Sequence, residues 1–414
     1  MRRISTNMTN NDMQNSLRLS EWRMNKLQNQ MADGTRIQEL RDDPIGAAHS
    51  TRYLSKITRL NRFSKNVDSI QSDHRIAEGY MQSATDILHR VREISIQGAN
   101  GTYSKEDKGY MAAEVNQLLN ELVSLSNAEN GDGRTIFAGD RTQSEAFRAM
   151  KGHIPGVEAS VITQVNYTGT IEPGMVEVSE GSFMETSFAG NEVFWAEHQQ
   201  IFSSQDAGSY QVLEDSQILI DGRTIDVMAG DNVQAVISKI NTSGAAVKAS
   251  LDPVNNSMVL ESTVPHQLWL EDGGNGTVLR DLGIIDDFSK PPQNLAKSVR
   301  SAGGSMFDMV IKVRDSLYAG DTLDIGGGAL KGIDLAMNNL LSNIGKLGAQ
   351  DERLGIIKSR IAYEIPEVQQ KNSNEVDVDF TSAITNLKQL EYNNKAALQT
   401  AGRILQQTLL DFLR

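Results

Sequence analysis

The stretch that decides the fold is residues 60–91, which read LNRFSKNVDSIQSDHRIAEGYMQSATDILHRV. Two sets of residues recur in it at intervals of seven. The first set is Leu60, Val67, His74, Met81 and Leu88. The second set, three positions later, is Phe63, Ile70, Ala77, Ala84 and Val91. Mostly apolar residues at such spacing are typical of a helix that packs lengthwise against partner helices.

This stretch predicts the middle of one long rod helix. Asp43 suits the N-cap position, and Pro44 suits the first helical position, where its missing N–H costs nothing. No further Pro follows before Gln97, so the helix is expected to span Pro44–Gln97. At 1.5 Å per residue it would be about 80 Å long. A helix of that length needs partner helices along its whole length.

On the N-terminal side, a separate helix is predicted from near Asp12 to Gly34. Its apolar stripe, which Ser20 interrupts, consists of Met13, Leu17, Met24, Leu27 and Met31. On the other side of the rod helix, a helix is predicted over Lys105–Glu129. The connection between them is long enough to reverse the chain, so these two helices should pack antiparallel.

Helical periodicity returns near the C-terminus. A long apolar stripe begins near Gly332, and Pro366 is expected to kink or end that helix. A last helix carries Phe380, Ile384, Leu387, Leu398, Ala401, Leu405 and Phe412. Long helices at both ends of the chain predict that it runs out and comes back. The N- and C-terminal helices would then lie side by side and contact neighbouring copies.

The middle of the chain predicts β-structure. Residues 131–292 are richer in Gly and Pro, and short alternating runs around Asp221-Gly222 indicate a hairpin. A short amphipathic helix is expected from near Asp231. The predicted fold is therefore mainly α with inserted β: a long antiparallel coiled-coil or helical-bundle rod formed by both termini, with β-rich middle modules.

Five segments describe this organisation. Residues 1–42 form a terminal helix that pairs with the terminal helix of 371–414, and 43–150 form rod helices and a hairpin that pack with the rod helix of 293–370. Residues 151–292 form the β-rich middle region, which includes a small module at about 211–287.

Composition narrows the function classes. Aromatic residues make up only 6% of the chain, which favours thin helical cores. Residues 1–65 hold twelve Lys/Arg against six Asp/Glu, a net charge of +6. The whole chain has a net charge of −13, so the remaining residues carry −19. The basic residues are spaced along helices without aromatic neighbours, which argues against nucleic-acid binding. No apolar run approaches the roughly 20 residues that span a bilayer, and the chain has no cysteine.

Motifs for chemistry are missing. The six histidines form no H-E-x-x-H pattern, and Gly326-Gly327-Gly328 and Asp272-Gly273-Gly274 are interpreted as loops without the context of a phosphate cradle. The pair Asp42-Asp43 is explained by helix capping. His74 is interpreted as a polar residue of the helical seam. We therefore expect no catalytic residue, no cofactor and no metal.

Several motifs carry a family resemblance. MADGTRI at 31–37 together with RDDPIGAA at 41–48 resembles the N-terminal signature of the flagellin superfamily. LGAQ at 347–350, followed by Arg353-Leu354, is similar to the matching segment of the returning helix. The resemblance covers about 1–150 and 295–414. The module at 211–287 is similar to a small β module that recurs in hook and flagellin proteins.

Three details resemble the hook–filament junction proteins of the superfamily more than flagellin itself. They are Pro44 directly after Asp42-Asp43, the hairpin-like DGRTIFAGD at 132–140, and the ending LQTAGRI at 398–404 with LLDFL at 409–413.

The resemblance implies a structural, non-enzymatic protein of the flagellum that is exported unfolded by the flagellar type III apparatus. The implied partners are hook-associated protein 1, flagellin, copies of the chain in a ring, and a cytoplasmic export chaperone. Nucleic acid and membrane insertion are not implied. The terminal helices would stay mobile in the monomer and become ordered on assembly.

Three alternatives remain open: a flagellin filament subunit, a flagellin with a catalytic middle module, and a coiled-coil signalling or adhesin protein. The first differs from the junction role in whether the protein forms long filaments. The second requires a zinc or hydrolase motif between 131 and 292. The third leaves the paired terminal signatures unexplained.

Overall fold

The computed structural model describes residues 6–154, 160–274 and 276–411, and the side-chain surroundings of these residues between 11 and 402. The chain forms two compact units. The terminal unit comprises Met1–Lys65 and Lys358–Arg414, and the central unit comprises Asn66–Ile357. The predicted segment ends at 42 and 370 lie near helix ends, whereas the two units divide inside long helices. The five predicted segments therefore stay a prediction.

The described helices and strands confirm the fold class, mainly α with inserted β. The helices are α1 (Thr6–Asp33), α2 (Pro44–Ala99), α3 (Lys105–Ser126), α4 (Gly190–Val193), α5 (Val233–Thr242), α6 (Val278–Asp281), α7 (Met306–Ala319), α8 (Thr322–Asp324), α9 (Leu330–Val376) and α10 (Phe380–Asp411). The strands are β1 (Phe147–Gly152), β2 (Val161–Tyr167), β3 (Met175–Ser179), β4 (Ser182–Glu185), β5 (Gln200–Phe202), β6 (Ser216–Ile220), β7 (Arg223–Val227), β8 (Val247–Leu251), β9 (Met258–Ser262), β10 (Leu270–Gly273) and β11 (Arg300–Ala302).

Three helical expectations need correction. Helix α1 begins at Thr6 rather than near Asp12. Pro366 was expected to kink or end its helix, and the second outcome is wrong, because helix α9 continues to Val376. Proline removes one main-chain hydrogen bond, but Ile361 and Val368 on either side of it are buried, and this packing holds the helix together. The Gly326-Gly327-Gly328 run is not a loop, because Ile325–Ala329 form a π-helix that leads into α9.

The main core of the central unit surrounds the heptad residues of α2. From Val67 to Val91 these residues are almost completely buried. From Ala77 onward, they share one core with residues of α3, α7 and α9. Arg90 forms an ion pair with Glu114 of α3 at 2.7 Å, and Arg92 forms one with Asp334 of α9 at 2.7 Å. Helix α7, which the sequence pattern did not predict, packs extensively on α3.

His74 occupies its heptad position as a buried polar residue. Its Nδ1 lies 3.2 Å from Oδ1 of Asp351 on α9, and its Nε2 lies 3.1 Å from the main-chain oxygen of Glu185 on β4. These contacts place a polar atom beside each ring nitrogen of the buried imidazole. This geometry agrees with the interpretation of His74 as a polar seam residue.

A second core lies in the β-rich part of the central unit. Strands β10, β6 and β7 form one sheet and β11, β5, β9 and β8 another, and α5 covers their apolar faces. Asp221 and Gly222 connect β6 to β7, with φ of 49° and 73°. Positive φ at both central residues is the geometry of a type I′ turn, so the predicted hairpin is confirmed.

The segment 132–140 was expected to be hairpin-like. The described residues there form a tight turn, in which the Asn130 N–H donates to the main-chain oxygen of Arg134 at 2.8 Å. Only an isolated bridge between Glu129 and Thr135 pairs the two sides. The turn is therefore present, but no pair of strands extends from it.

Candidate assembly site of the terminal unit

Two breaks in the helices lie side by side in the terminal unit. Helix α1 ends before Gly34, whose φ of +72° turns the chain, and α9 ends at Val376. The Arg36 N–H donates to the main-chain oxygen of Val376 at 2.6 Å, and the Val378 N–H donates to that of Gly34 at 3.0 Å. The outgoing and returning chains are therefore joined by main-chain hydrogen bonds at the same level.

A charged network fixes the N-terminal break. The guanidinium of Arg36 donates to the main-chain oxygen of Glu375 at 2.8 Å and to Oδ2 of Asp43 at 3.0 Å. The carboxylate of Asp42 forms an ion pair with Lys26. The hydrogen bond from Lys26 lowers the pKa of Asp42, and the N–H of Gly46, followed by Arg36, lowers the pKa of Asp43.

The carboxylates of both aspartates are therefore occupied by hydrogen bonds and ion pairs that hold the structure. Asp43 lies at the N-cap of α2, where its Oδ1 accepts the Gly46 N–H at 2.9 Å, and Pro44 is the first residue of that helix. Asp42 accepts N–H groups of the loop before it. Nothing in this arrangement resembles a catalytic pair of carboxylates.

Asp379 is the matching cap on the returning chain, and sequence reasoning missed it. Its Oδ1 accepts the Thr381 N–H at 2.9 Å, and its main-chain oxygen accepts the Ala383 N–H at 2.9 Å, which starts α10. Hydrogen bonds from Ser382 lower the pKa of Asp379. An aspartate directly before the first apolar residue of a helix is a known start signal, so the residue was detectable.

Helices α1 and α10 pack along a seam with heptad spacing. On α1 the less exposed positions at this spacing are Met13, Leu17, Ser20, Met24, Leu27 and Met31. On α10 they are Ala383, Leu387, Leu390, Asn394, Ala397 and Ala401. Ser20 therefore continues the stripe instead of interrupting it. Small and polar residues make up much of this seam, and the buried Oδ1 of Asn394 has no partner among the described residues.

Three other large apolar residues of α10 lie outside this seam. Phe380, Ile384 and Leu398 are 50%, 43% and 52% exposed. Phe380 and Leu398 are eighteen residues apart, about five turns, and so lie on one line along the helix. We call Phe380, Ile384 and Leu398 the outer stripe. It is an apolar surface that α1 does not cover.

The other predicted contact residues fall into two groups. Those on the rod helix are buried inside the chain: Leu60, Phe63, Val67, Ile70, Met81, Leu88 and Val91. They therefore hold the helices of one copy together. Leu405 lies in α10 and Phe412 beyond it, and the side chains of both lie outside the part of the chain that the structure describes.

The described residues offer no site for a metal ion. No group of three or more His, Asp or Glu side chains converges there. None of the described helices is both long and apolar enough to cross a bilayer. What the terminal unit does present is the outer stripe, beside a seam of small residues.

Family models match three parts of the chain. The bacterial flagellin N-terminal helical region matches residues 4–142, the flagellin hook IN motif matches 215–264, and the bacterial flagellin C-terminal helical region matches 330–413. The first and last matches cover the helical regions, and the second lies within the β-rich module predicted at 211–287.

Individual proteins are also similar to this chain over part or nearly all of its length. A flagellar filament 30.7 kDa core protein of Treponema maltophilum is 31% identical over 246 residues, which cover 56% of this chain and 84% of that protein. Polar flagellin A of Vibrio parahaemolyticus is 24% identical over 416 residues, 99% of this chain and 95% of that protein. A solved structure of flagellar hook associated protein-3 from Legionella pneumophila is similar with a TM-score of 0.47 and 18% identity, covering 78% of this chain and 98% of that one.

Proposed function

The chain belongs to the flagellin family of bacterial flagellar structural proteins, and from this membership we propose that it is the hook–filament junction subunit. In this role, that of hook-associated protein 3, a ring of copies joins hook-associated protein 1 to the flagellin filament. The proposed role is structural and non-enzymatic. It needs no cofactor.

The observation that carries the junction role is the break before α2. Pro44 directly after Asp42-Asp43 is the detail that resembles junction proteins. In the structure Asp43 caps the helix, Pro44 occupies its first turn and Asp42 binds Lys26. Each of the three residues therefore has its own structural role in the break. The resemblances at 132–140 and at the C-terminal end support the same assignment.

The outer stripe supports an assembling protein. Exposed apolar side chains are costly in water, and burying them against a neighbour recovers about 25 cal/mol for each Å² covered. Neighbouring copies, hook-associated protein 1 and flagellin would supply this cover in the flagellum. An export chaperone would supply it in the cytoplasm, before type III export.

A filament subunit is the second candidate. Its support is the 31% identity to a filament core protein and the match to polar flagellin A along nearly the whole chain. The match to the core protein, however, covers only 56% of this chain. Much of this chain therefore has no counterpart in that core protein, whereas polar flagellin A has a counterpart for nearly all of it.

Localisation in the source bacterium separates the two roles. An epitope tag after Gly181, an exposed turn residue with open space around it, would be detected by immunogold electron microscopy. We expect one narrow band of label at the base of each filament. Deletion of the gene should leave hooks without filaments and flagellin in the medium. Label along the filament, or filaments formed by the purified chain alone, would contradict the junction role.

A further inference from the structure

His266 is a buried histidine with acceptors at both ring nitrogens. It lies between β9 and β10. Its Nε2 is 2.9 Å from Oδ2 of Asp221, and its Nδ1 is 2.9 Å from the main-chain oxygen of Val264. A carbonyl oxygen cannot donate a hydrogen bond, and neither can a carboxylate. A neutral imidazole carries one N–H, so only the protonated ring donates to both oxygens.

Asp221 ties the hairpin of β6 and β7 to the connection that contains His266. It lies in the turn of that hairpin with φ of +49°. Its Oδ1 accepts the Trp269 N–H at 3.0 Å, and its own N–H donates to the main-chain oxygen of Trp269 at 2.9 Å. Loss of the His266 contact would therefore weaken one of three bonds between the turn and the connection.

The same connection also contacts the main core. The Gln267 N–H donates to the main-chain oxygen of Asn191 on α4 at 3.2 Å, and the Asn191 side chain donates back to that of Gln267 at 3.1 Å. The Leu268 N–H donates to Oε1 of Gln199 at 2.7 Å. Residues 264–269 thus join the β6–β7 hairpin on one side to α4 on the other.

The charged groups around His266 favour its protonated form. Asp221 faces it from the hairpin turn, and Glu192 acts on it from α4, where Lys346 of α9 pairs with Glu192 at 2.7 Å. Burial lowers the pKa of His266, but the hydrogen bond and charge of Asp221, the Val264 oxygen and Glu192 outweigh it. The net pKa is raised above the ordinary 6.5.

We propose that His266 and Asp221 form a pH-sensitive latch that holds the β6–β7 hairpin and residues 264–269 against α4. The latch rests on this local geometry and does not depend on the junction role. Because the folded-state pKa is raised, the stabilisation is complete below pH 6.5, the unfolded value. It is lost as the pH rises through the folded-state pKa. Above that pH the connection and the hairpin turn open more often.

Hydrogen exchange of the full-length chain tests the latch. We would compare peptides covering 264–270 at pH 6 and pH 9, corrected for the intrinsic pH dependence with a peptide from α3. Their protection should fall about tenfold for each unit by which the folded pKa exceeds 6.5. In His266→Gln this fall should disappear. His89→Gln, at an exposed histidine of α2, should behave like the wild type.

A titration of His266 in the wild-type chain tests the latch without any variant, so poor folding of a variant cannot affect the result. NMR of the wild-type chain with ¹⁵N-labelled histidine reports the protonation of each imidazole. We expect His266 to keep both N–H protons at pH 6.5 and to lose one only above it. A pKa at or below 6.5, or an equal fall in protection in His266→Gln and in the wild type, would overturn the proposal.

Discussion

The two units bury their apolar residues to very different degrees. In the central unit, Phe307 is fully buried and its ring centroid lies 5.0 Å from that of Phe147 and 5.9 Å from that of Phe194. In the seam between α1 and α10, the large side chains such as Leu27 are only half-buried. The central unit therefore has a well-buried core, whereas the α1–α10 pair packs along a thin seam that stays partly exposed.

Charge separates the same two units. The terminal unit holds twelve basic against six acidic residues in 1–65 and seven of each in 358–414, leaving +6, so the central unit carries the remaining −19. Ordering a residue costs about 1–2 kcal/mol of backbone entropy, which half-buried side chains offset poorly. The two units therefore differ both in charge and in how completely their apolar side chains are buried.

The largest expected effect is on the core of the central unit. Phe307→Ala removes a fully buried ring from an aromatic cluster, so the free energy of unfolding should fall by about 3–5 kcal/mol. The matched change in the terminal unit, Leu27→Ala, should cost only about 1 kcal/mol, because Leu27 is partly rather than fully buried. Urea denaturation followed by the fluorescence of buried Trp195 measures the first, and hydrogen exchange of α1 measures the second. Equal costs would remove the contrast between the units.

An intermediate effect is expected at the helix caps. Ser305 and Asp308 form a capping box at the start of α7, in which the Asp308 N–H donates to Oγ of Ser305 at 3.2 Å. Ser305→Ala should lower the free energy of unfolding of the central unit by about 1 kcal/mol. Asp43→Ala should instead reduce exchange protection only in the first turn of α2. Asp43→Asn, which keeps a cap, is its control.

The pH dependence of the Asp43 cap distinguishes these variants further. The pKa of Asp43 is lowered in the folded state, so its carboxylate stabilises the fold at any pH above the ordinary pKa of 3.8. This stabilisation is lost as the pH falls through the lower pKa of the folded state. Wild-type protection of the first turn of α2 should therefore drop in acid. A similar drop in Asp43→Ala would show that another group is responsible.

Helix periodicity was enough to predict α2, but not α7. Helix α2 has 56 residues, and apolar residues that recur every seven positions over such a length predict a helix rather than a strand. Helix α7 begins MFDMVIKV and is apolar on most of its surface, so period alone does not separate it from a buried strand. Arg314 on this helix is fully buried, against the usual preference of arginine.

Arg314 pairs with its neighbour Asp315 at 2.7 Å, but its other partners lie in distant parts of the chain. Its guanidinium donates to the main-chain oxygen of Ile162 at 2.6 Å and to Oδ1 of Asn116 at 3.1 Å. Ile162 and Asn116 are both far from Arg314 in sequence, so no local pattern reveals these two partners. The seam on α10 is a similar case. Two apolar stripes overlap on that helix, and the sequence does not say which of them faces α1.

The smallest effect on the isolated chain is expected at the outer stripe. Phe380→Ala combined with Leu398→Ala removes side chains that are already about half-exposed. The free energy of unfolding should therefore change by no more than about 0.5 kcal/mol. Attachment of the protein to flagella should nevertheless be lost, because the stripe is proposed to be buried by neighbours. Immunoblots of purified flagella, with urea denaturation of the free chain beside them, measure both.

Leu323→Ala is the matched control for this pair. Leu323 is 88% exposed in the central unit, so the change removes a comparable apolar side chain away from the outer stripe. We expect it to leave both stability and attachment unchanged. Normal attachment of the Phe380/Leu398 variant would mean that the stripe is not an assembly contact. A large loss of its stability would instead place these side chains in a core of the single chain, which would make the terminal unit resemble the central one.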